Sequence, residues 1–564
     1  MTPAPAARAA STRSATAADQ PAGGNPQAVL TPGGARRDRA FLLCCVVLAA
    51  VLPSIPYAIV LLSTPPGATY TGVLFAPENE YRYLTSMTHA YTDLGMWRAY
   101  FTYQQLPALP INLFYGALGF LVPPGAGPAV VAVVYQLARV VLSALLAWQA
   151  WRLYAEALAE RLSRRLALVF LLFTAGLGLV PTLVPALSFG DAPFDLQLAE
   201  ASAFGSMVRE PHLVATLLLI VVVLRALLKV TSGSPGRRWA VAWGLTATAA
   251  LSVIHPERVI LLALAAAVLL GWTWWRDGRP PAAAAGRALM VLAGGAPYAL
   301  LSLWLTRTDA QVQGALAQDS PGAIHALVPY FLFGVGIPGL LALVGLPSLL
   351  RAGRAANAGV VLLWGVVLAT PVLVLAPQAS GWHAGEGLPV AVAGLAGWAL
   401  ARDILPRLRG VRPRRLLTAA LVVASTPSIM VLTLVPAAVA RAGADAPYVS
   451  ADDTACLAWL RDNARGDDVV FGGPDSEWFS VTYAHVRAVY GDPSYTPHSA
   501  EEVQAARDLL AGRRPATDYM VSRSVDWIYF GPRERQTGVG LDPARVAGAP
   551  VHRCGATALY RVGG

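Results

Sequence analysis

Apolar stretches of nearly 20 residues recur along the chain, about the number a bilayer-spanning helix needs. The first runs from Ala40 to Ser63. Others cover Pro128 to Tyr154, Leu166 to Leu187, Val259 to Trp275 and Ala288 to Thr306, and a last one runs from Leu416 to about Val439. A soluble protein carries about 25% charged residues; this chain has 13%, and 55% of it is hydrophobic. The pattern predicts an α-helical polytopic membrane protein with about 11 spanning helices.

Charge orients those helices. The formal net charge is +10, and Lys229 is the single lysine, so nearly all of the basic charge is arginine. The arginines cluster in alternate loops: Arg36, Arg37 and Arg39, then Arg161 to Arg165, Arg237 and Arg238, Arg276 and Arg279, Arg351 and Arg354, and Arg402 to Arg415. Flanking arginine stays on the cytoplasmic side, which predicts a plasma-membrane protein with a cytoplasmic N-terminus. The same placement argues against nucleic acid as a partner. No zinc-spaced Cys/His set or phosphate-cradling glycine loop occurs. Residues 1–39, rich in Ala, Pro, Ser and Thr, are expected to be disordered.

Residues 40–441 make the membrane part, with 64–107 as its first outside loop. Tyr81, Leu84, Met87, Tyr91 and Leu94 fall on one helical face, which predicts a helix lying along the outer interface. Trp97, Tyr100, Phe101 and Tyr103 would then sit at headgroup level. Residues 108–122 are broken by Pro110 and ended by Pro123-Pro124. Charge parity makes this run re-entrant or interfacial. Residues 442–564 read as an exported soluble α/β domain, with a capping box at Ser450 and strands near 469–471, 527–530 and 558–562. Cys456 and Cys554 both lie in it, so export would permit a disulfide between them.

The topology places three polar clusters on the outer side. These are Glu78, Glu80 and Arg82, with His89 and Asp93 further on; Arg209-Glu210-Pro211-His212; and His255-Pro256-Glu257-Arg258. Ionisable groups beside membrane helices are costly unless paired or wetted. Three such loops converging on one cavity would join a carboxylate base to phosphate-holding arginines. His383 and Glu386 read as ordinary loop residues, and Arg139 as the charge set deepest in an apolar run.

The segments Ala-Pro-Glu-Asn-Glu-Tyr-Arg-Tyr-Leu at 76–84, Arg-Glu-Pro-His at 209–212 and His-Pro-Glu-Arg at 255–258 carry a family resemblance. So do Ala-Trp-Leu-Arg-Asp-Asn at 458–463 and Asp-Trp-Ile-Tyr-Phe-Gly-Pro-Arg-Glu at 526–534. The chain resembles the GT-C superfamily of membrane glycosyltransferases, of the protein O-mannosyltransferase and aminoarabinose transferase type. The resemblance implies a GT-C-like membrane domain and transfer of a sugar from a polyprenyl-phosphate donor to an envelope glycan, lipid or protein on the outer face. The family's first-loop carboxylate maps onto Glu78, with Glu80 as alternate. Arg82, Arg209, Glu210, His212, His255 and Arg258 would contact substrate. The family often has adjacent acidic residues where Asn79 here separates two glutamates. Some members use a divalent metal and others do not, and no metal ligand is assigned. The competing readings are a transporter or flippase of an envelope precursor, which would favour ionisable groups at the bilayer midplane, and a non-catalytic GT-C-like scaffold.

Overall fold

A computed structural model describes residues 32–184, 194–232, 235–318, 334–375, 385–441, 447–492, 494–537 and 540–563. The first apolar run forms α1 (Pro32–Val51) and α2 (Ile55–Leu62), joined by a short 3-10 turn holding Pro53. Proline removes a helical donor and crowds the preceding turn, and Pro53 and Pro56 mark this junction. Helix α1 begins inside the segment expected to be disordered; residues 1–31 lie outside the described residues. In the outer loop, strand β1 (Ala68–Tyr70) precedes α3 (Pro77–Thr88) and α4 (Leu113–Gly119). Helix α4 has 7 residues, too few to cross a bilayer.

The bundle continues with α5 (Pro128–Ala157), α6 (Arg161–Phe173), α7 (Ala203–Arg209), α8 (Pro211–Thr231), α9 (Arg237–Ile254) and α10 (Glu257–Asp277). Next come α11 (Ala282–Ala293) and α12 (Ala296–Thr308), α13 (Gly336–Ala352), α14 (Ala358–Val374) and α15 (Leu388–Ala399). Helices α16 (Val411–Ala424) and α17 (Pro427–Arg441) finish it. Seven described segments are long and apolar enough to cross a membrane, or eight if the pair α11 and α12, bent by 55°, is one span. This is fewer than the about eleven expected; among the described residues α14 is a shorter apolar helix of 17 residues. The chain is a multi-pass membrane protein. At the bend after α11, Gly294 lets α9 pack close, since a Cβ there would lie 2.1 Å from the Leu245 carbonyl oxygen.

The spans containing α8 and α15 form the centre of the bundle, each 78% buried, against 22–39% for the other unbent spans. The outer spans turn side chains such as Leu43, Val133 and Leu289 outwards, as a lipid-facing surface requires. Proline at the first turn starts α3, α5 and α8, where its missing N–H costs nothing.

The tail contains β2 (Tyr448–Ser450), α18 (Ala451–Asn463), β3 (Val469–Phe471), α19 (Pro474–Ala484), β4 (Arg487–Ala488), α20 (Ser499–Leu510), β5 (Val525–Phe530), β6 (His552–Cys554) and β7 (Thr557–Arg561). Its sheet has the order β4-β3-β5-β7-β6; β4, β3 and β5 are parallel, and β7 and β6 are antiparallel additions. The Ser450 cap is present, with its hydroxyl accepting from the Asp453 N–H at 3.0 Å. A disulfide joins Cys456 to Cys554, with Cα atoms 5.7 Å apart.

The tail does not stand apart from the membrane part. Strand β2 pairs antiparallel with β1, Ala68 opposite Ser450 and Tyr70 opposite Tyr448. Tyr81, Leu84 and Met87 share one core with Phe479, Val481 and Trp527. This corrects the expected interfacial helix. Helix α3 ends at Thr88, and its apolar face is covered by α19 rather than by lipid. Trp97, Tyr100 and Phe101 are likewise buried in protein.

Candidate active site

Arg139, deep in α5, builds the floor of the site. Its Nη1 donates to the carbonyls of Met207 at 2.6 Å and Pro53 at 3.2 Å, and its Nε donates to Gln136 at 2.8 Å. The guanidinium also lies 4.4 Å from the Tyr57 ring centre, and the Tyr57 hydroxyl donates to the Val208 carbonyl at 2.7 Å. These bonds satisfy a buried charge with backbone dipoles and an aromatic face. They fix the end of α7, and with it the segment Arg209 to His212.

From there a chain of polar and aromatic contacts joins four of the outer segments. Tyr83 of α3 stacks on Tyr115 of α4 at 4.2 Å and meets the His212 ring at 5.1 Å. The Tyr115 hydroxyl and His212 Nδ1 share a hydrogen bond of 2.7 Å, and Glu210 lies 3.4 Å from the same nitrogen. His212 is 5.6 Å from His255, ring centre to ring centre. His255 Nδ1 is 3.2 Å from Glu257, and its Nε2 is 3.8 Å from Glu386. Arg258 Nε donates to Glu386 at 3.2 Å, and its Nη1 sits 3.4 Å from Glu257. Among the described residues neither Nη group of Arg258 makes a hydrogen bond, although the side chain is fully buried.

Glu386 corrects the expectation of a solvated loop residue. It is fully buried, held by Arg258 immediately before α15. Burial, opposed by His255 and Arg258, raises its pKa to about 7. His383 lies outside the described residues. Among the described residues no group of three or more His, Cys, Asp or Glu side chains is placed to hold a metal ion. Guanidinium nitrogens interleaved with imidazoles suit an anion.

By sequence the chain matches no protein-family model and no curated protein. In three dimensions it matches the oligosaccharyltransferase of Archaeoglobus fulgidus tethered to an acceptor peptide with the NVT sequon. The TM-score is 0.53 and the identity 12%, covering 88% of this chain and 70% of that one. The archaeal oligosaccharyltransferase AglB from Archaeoglobus fulgidus, complexed with an inhibitory peptide and a dolichol-phosphate, gives 0.50 at 12% identity, over 87% and 69%. The mycobacterial arabinofuranosyltransferase AftD gives 0.50 at 17% identity, over 93% of this chain and 42% of that one. The chain shares the fold of these solved structures.

On this fold the two first-loop glutamates are sorted by α3. They are two positions apart, so the helix turns them about 200° from each other. Glu80 is fully buried. Its Oε2 accepts the N–H groups of Leu74 at 2.7 Å and Phe75 at 3.4 Å, while Oε1 has no hydrogen-bond partner among the described residues. Burial raises its pKa to about 8, with Glu210 adding to the rise and Arg209 opposing it. Glu78 is half-buried and makes no hydrogen bond or ion pair among the described residues.

Arg82 points at the tail. Its Nε and Nη2 grip Asp492 at 2.6 and 2.8 Å, and Nη2 also reaches Ser494 at 3.2 Å. Arg209 donates to the Leu196 carbonyl and lies 5.6 Å from the Phe75 ring centre. His89 and Asp93 leave the cluster. His89 Nε2 meets the Val481 carbonyl at 3.0 Å, and Asp93 pairs with Arg98 at 3.2 Å. Sequence reasoning missed Tyr83, Tyr115, Glu386 and Asp492 as members of the site and its supports. The signal for Glu386 was its place directly before an apolar run, where an acid in water would have no reason to pair.

Proposed function

We propose that this protein transfers a sugar from a polyprenyl-phosphate donor to a cell-envelope acceptor on the outer face of the plasma membrane. The observation that carries the reading is Arg258, a buried guanidinium beside His255, Glu257 and Glu386, whose two Nη groups make no hydrogen bond among the described residues. Such donors suit a phosphate approached from the bilayer. The shared fold supports it further, since one matching structure holds a dolichol-phosphate and another an acceptor peptide. The orientation, with a cytoplasmic N-terminus and an extracytoplasmic tail, rests on the arginine clusters at the helix ends opposite the site.

In this reading Glu78 accepts the proton of the attacking acceptor hydroxyl. The new bond forms at the anomeric carbon as the bond to the phosphate oxygen breaks, and the electron pair leaves with the polyprenyl phosphate. Arg258 and Arg209 stabilise that charge, while His212 and His255 orient the donor. Glu80 and Arg82 act structurally, the first pinning residues 74–75 and the second docking the tail.

The test uses purified full-length protein, radiolabelled polyprenyl-phosphate sugars and an envelope extract. Glu78→Gln and Arg258→Gln should each lower transfer by about 10²-fold or more. Unchanged transfer by a well-folded Glu78→Gln protein would remove Glu78 from the role of base. No label transfer by the wild type from any donor would end the reading.

A further inference from the structure

We propose that the end of the bundle opposite the candidate active site carries a second binding cleft, built for a phosphate group that carries a hydroxyl donor. The cleft has a volume of about 550 Å³ and is lined by Ser348, Arg351, Arg402, Asp403 and Arg407 among others. Glu386 precedes one end of the span Leu388–Arg407, and the cleft forms at its other end. Twenty helical residues separate the two by about 30 Å, so they are different sites.

Three features make this a built site rather than a patch of surface charge. First, α15 continues into a π-helical turn, Leu400–Ile404, and then a 3-10 turn, Leu405–Arg407. The change of pitch carries Arg402, Asp403 and Arg407 into one lining, and π turns inside helices are frequent at functional sites. Second, the polar groups are held in place. The Ser348 hydroxyl donates to Asp403 Oδ1 at 2.8 Å. Arg351 donates from Nε to the Pro347 carbonyl at 3.1 Å and from Nη2 to the Ser348 hydroxyl at 3.3 Å. The Arg402 guanidinium lies 5.4 Å from the Trp398 ring centre.

Third, the charges do not balance. Three guanidiniums face one carboxylate, and neither Arg402 nor Arg407 has an ion-pair partner among the described residues. A phosphate would supply the missing negative charge and match the planar N–H pairs of arginine. Asp403 Oδ2 is buried and has no hydrogen-bond partner among the described residues. A lone buried acceptor asks for a donor, which the hydroxyl of a glycerol or sugar headgroup supplies and a bare phosphodiester does not. The cleft lies at the end of the span Leu388–Arg407, and the headgroups border the apolar core that such spans cross. The ligand can therefore be a glycerol-bearing anionic lipid or free phosphate.

The full chain is reconstituted in discs of phosphatidylcholine with and without phosphatidylglycerol, and co-purifying lipid is counted by native mass spectrometry. A parallel arm adds inorganic phosphate in detergent and reads the melting temperature. The wild type should retain phosphatidylglycerol over phosphatidylcholine. The Arg402→Gln/Arg407→Gln variant should lose this preference by about fivefold per arginine. Arg412→Gln/Arg415→Gln, on exposed arginines outside the lining, should keep it. A phosphate-induced rise in melting temperature that the first variant abolishes, without lipid preference, would assign the cleft to free phosphate. Equal losses in both variants would mean diffuse attraction and overturn the proposal. A wild type indifferent to both probes would do the same.

Discussion

Taking a guanidinium or a carboxylate out of water costs several kcal/mol unless the partner is well placed, so each buried charge here states a requirement. For Glu386, held at a pKa of about 7, the carboxylate that grips Arg258 is present above that pH and lost below it. Transfer activity should therefore fall as pH drops through about 7, and Glu386→Gln should flatten that limb of the pH profile. Glu80 behaves differently. Its carboxyl is protonated in the folded protein up to about pH 8, against an ordinary value of 4.5. Between these values the folded state binds the extra proton, so stability declines as pH rises through that window. Glu80→Gln keeps an acceptor for Leu74 and Phe75 and removes the charge. Above about pH 8 it should stabilise the fold by at most about 5 kcal/mol, read as a higher melting temperature, and it should change little below the ordinary carboxyl range. Residue chemistry was only partly legible beforehand. Glu78, Glu80, Arg209, His212, His255 and Arg258 were picked out because charges beside apolar runs are few. Glu386 was passed over because a single acid in a short loop gives no sign of its partner 128 positions away.

At the scale of elements, α3 is the hinge between the membrane part and the tail. Its Arg82 to Asp492 pair is bidentate, with the Asp492 side chain fully buried. Arg82→Gln would leave that carboxylate with only the Ser494 and Tyr495 N–H groups as local donors. We expect a loss of about 3 kcal/mol, seen as faster hydrogen exchange across α3 and residues 487–496 with the membrane helices unaffected. Helical periodicity located the Tyr81, Leu84 and Met87 face correctly. It could not say what covers that face, because an apolar stripe satisfies lipid and protein equally. The covering residues, Trp478 and Phe479, are nearly 400 positions away, beyond the reach of any local pattern.

For the whole molecule, the spans were readable because a bilayer imposes length and apolarity on every crossing. The alternation of arginine clusters also removed residues 108–122 from the count. Joining the tail to the first outer loop was not readable, since strands of three residues such as β1 and β2 carry almost no signal of their own. The disulfide closes a loop of 98 residues within the tail. Reduction, or Cys554→Ser, should lower tail stability by about 4–5 kcal/mol, detectable as protease cleavage within 447–563 while the bundle stays intact.

Ala68 meets Ser450 only after more than 380 further residues have been made. At about 5–20 residues per second the ribosome needs roughly 20–75 s for that stretch. Until then the newborn outer segment presents a bare strand edge and the uncovered rings of Tyr81 and Tyr100. Biogenesis of this protein thus includes an obligatory wait, and a chain halted early would display this sticky surface to the quality-control machinery.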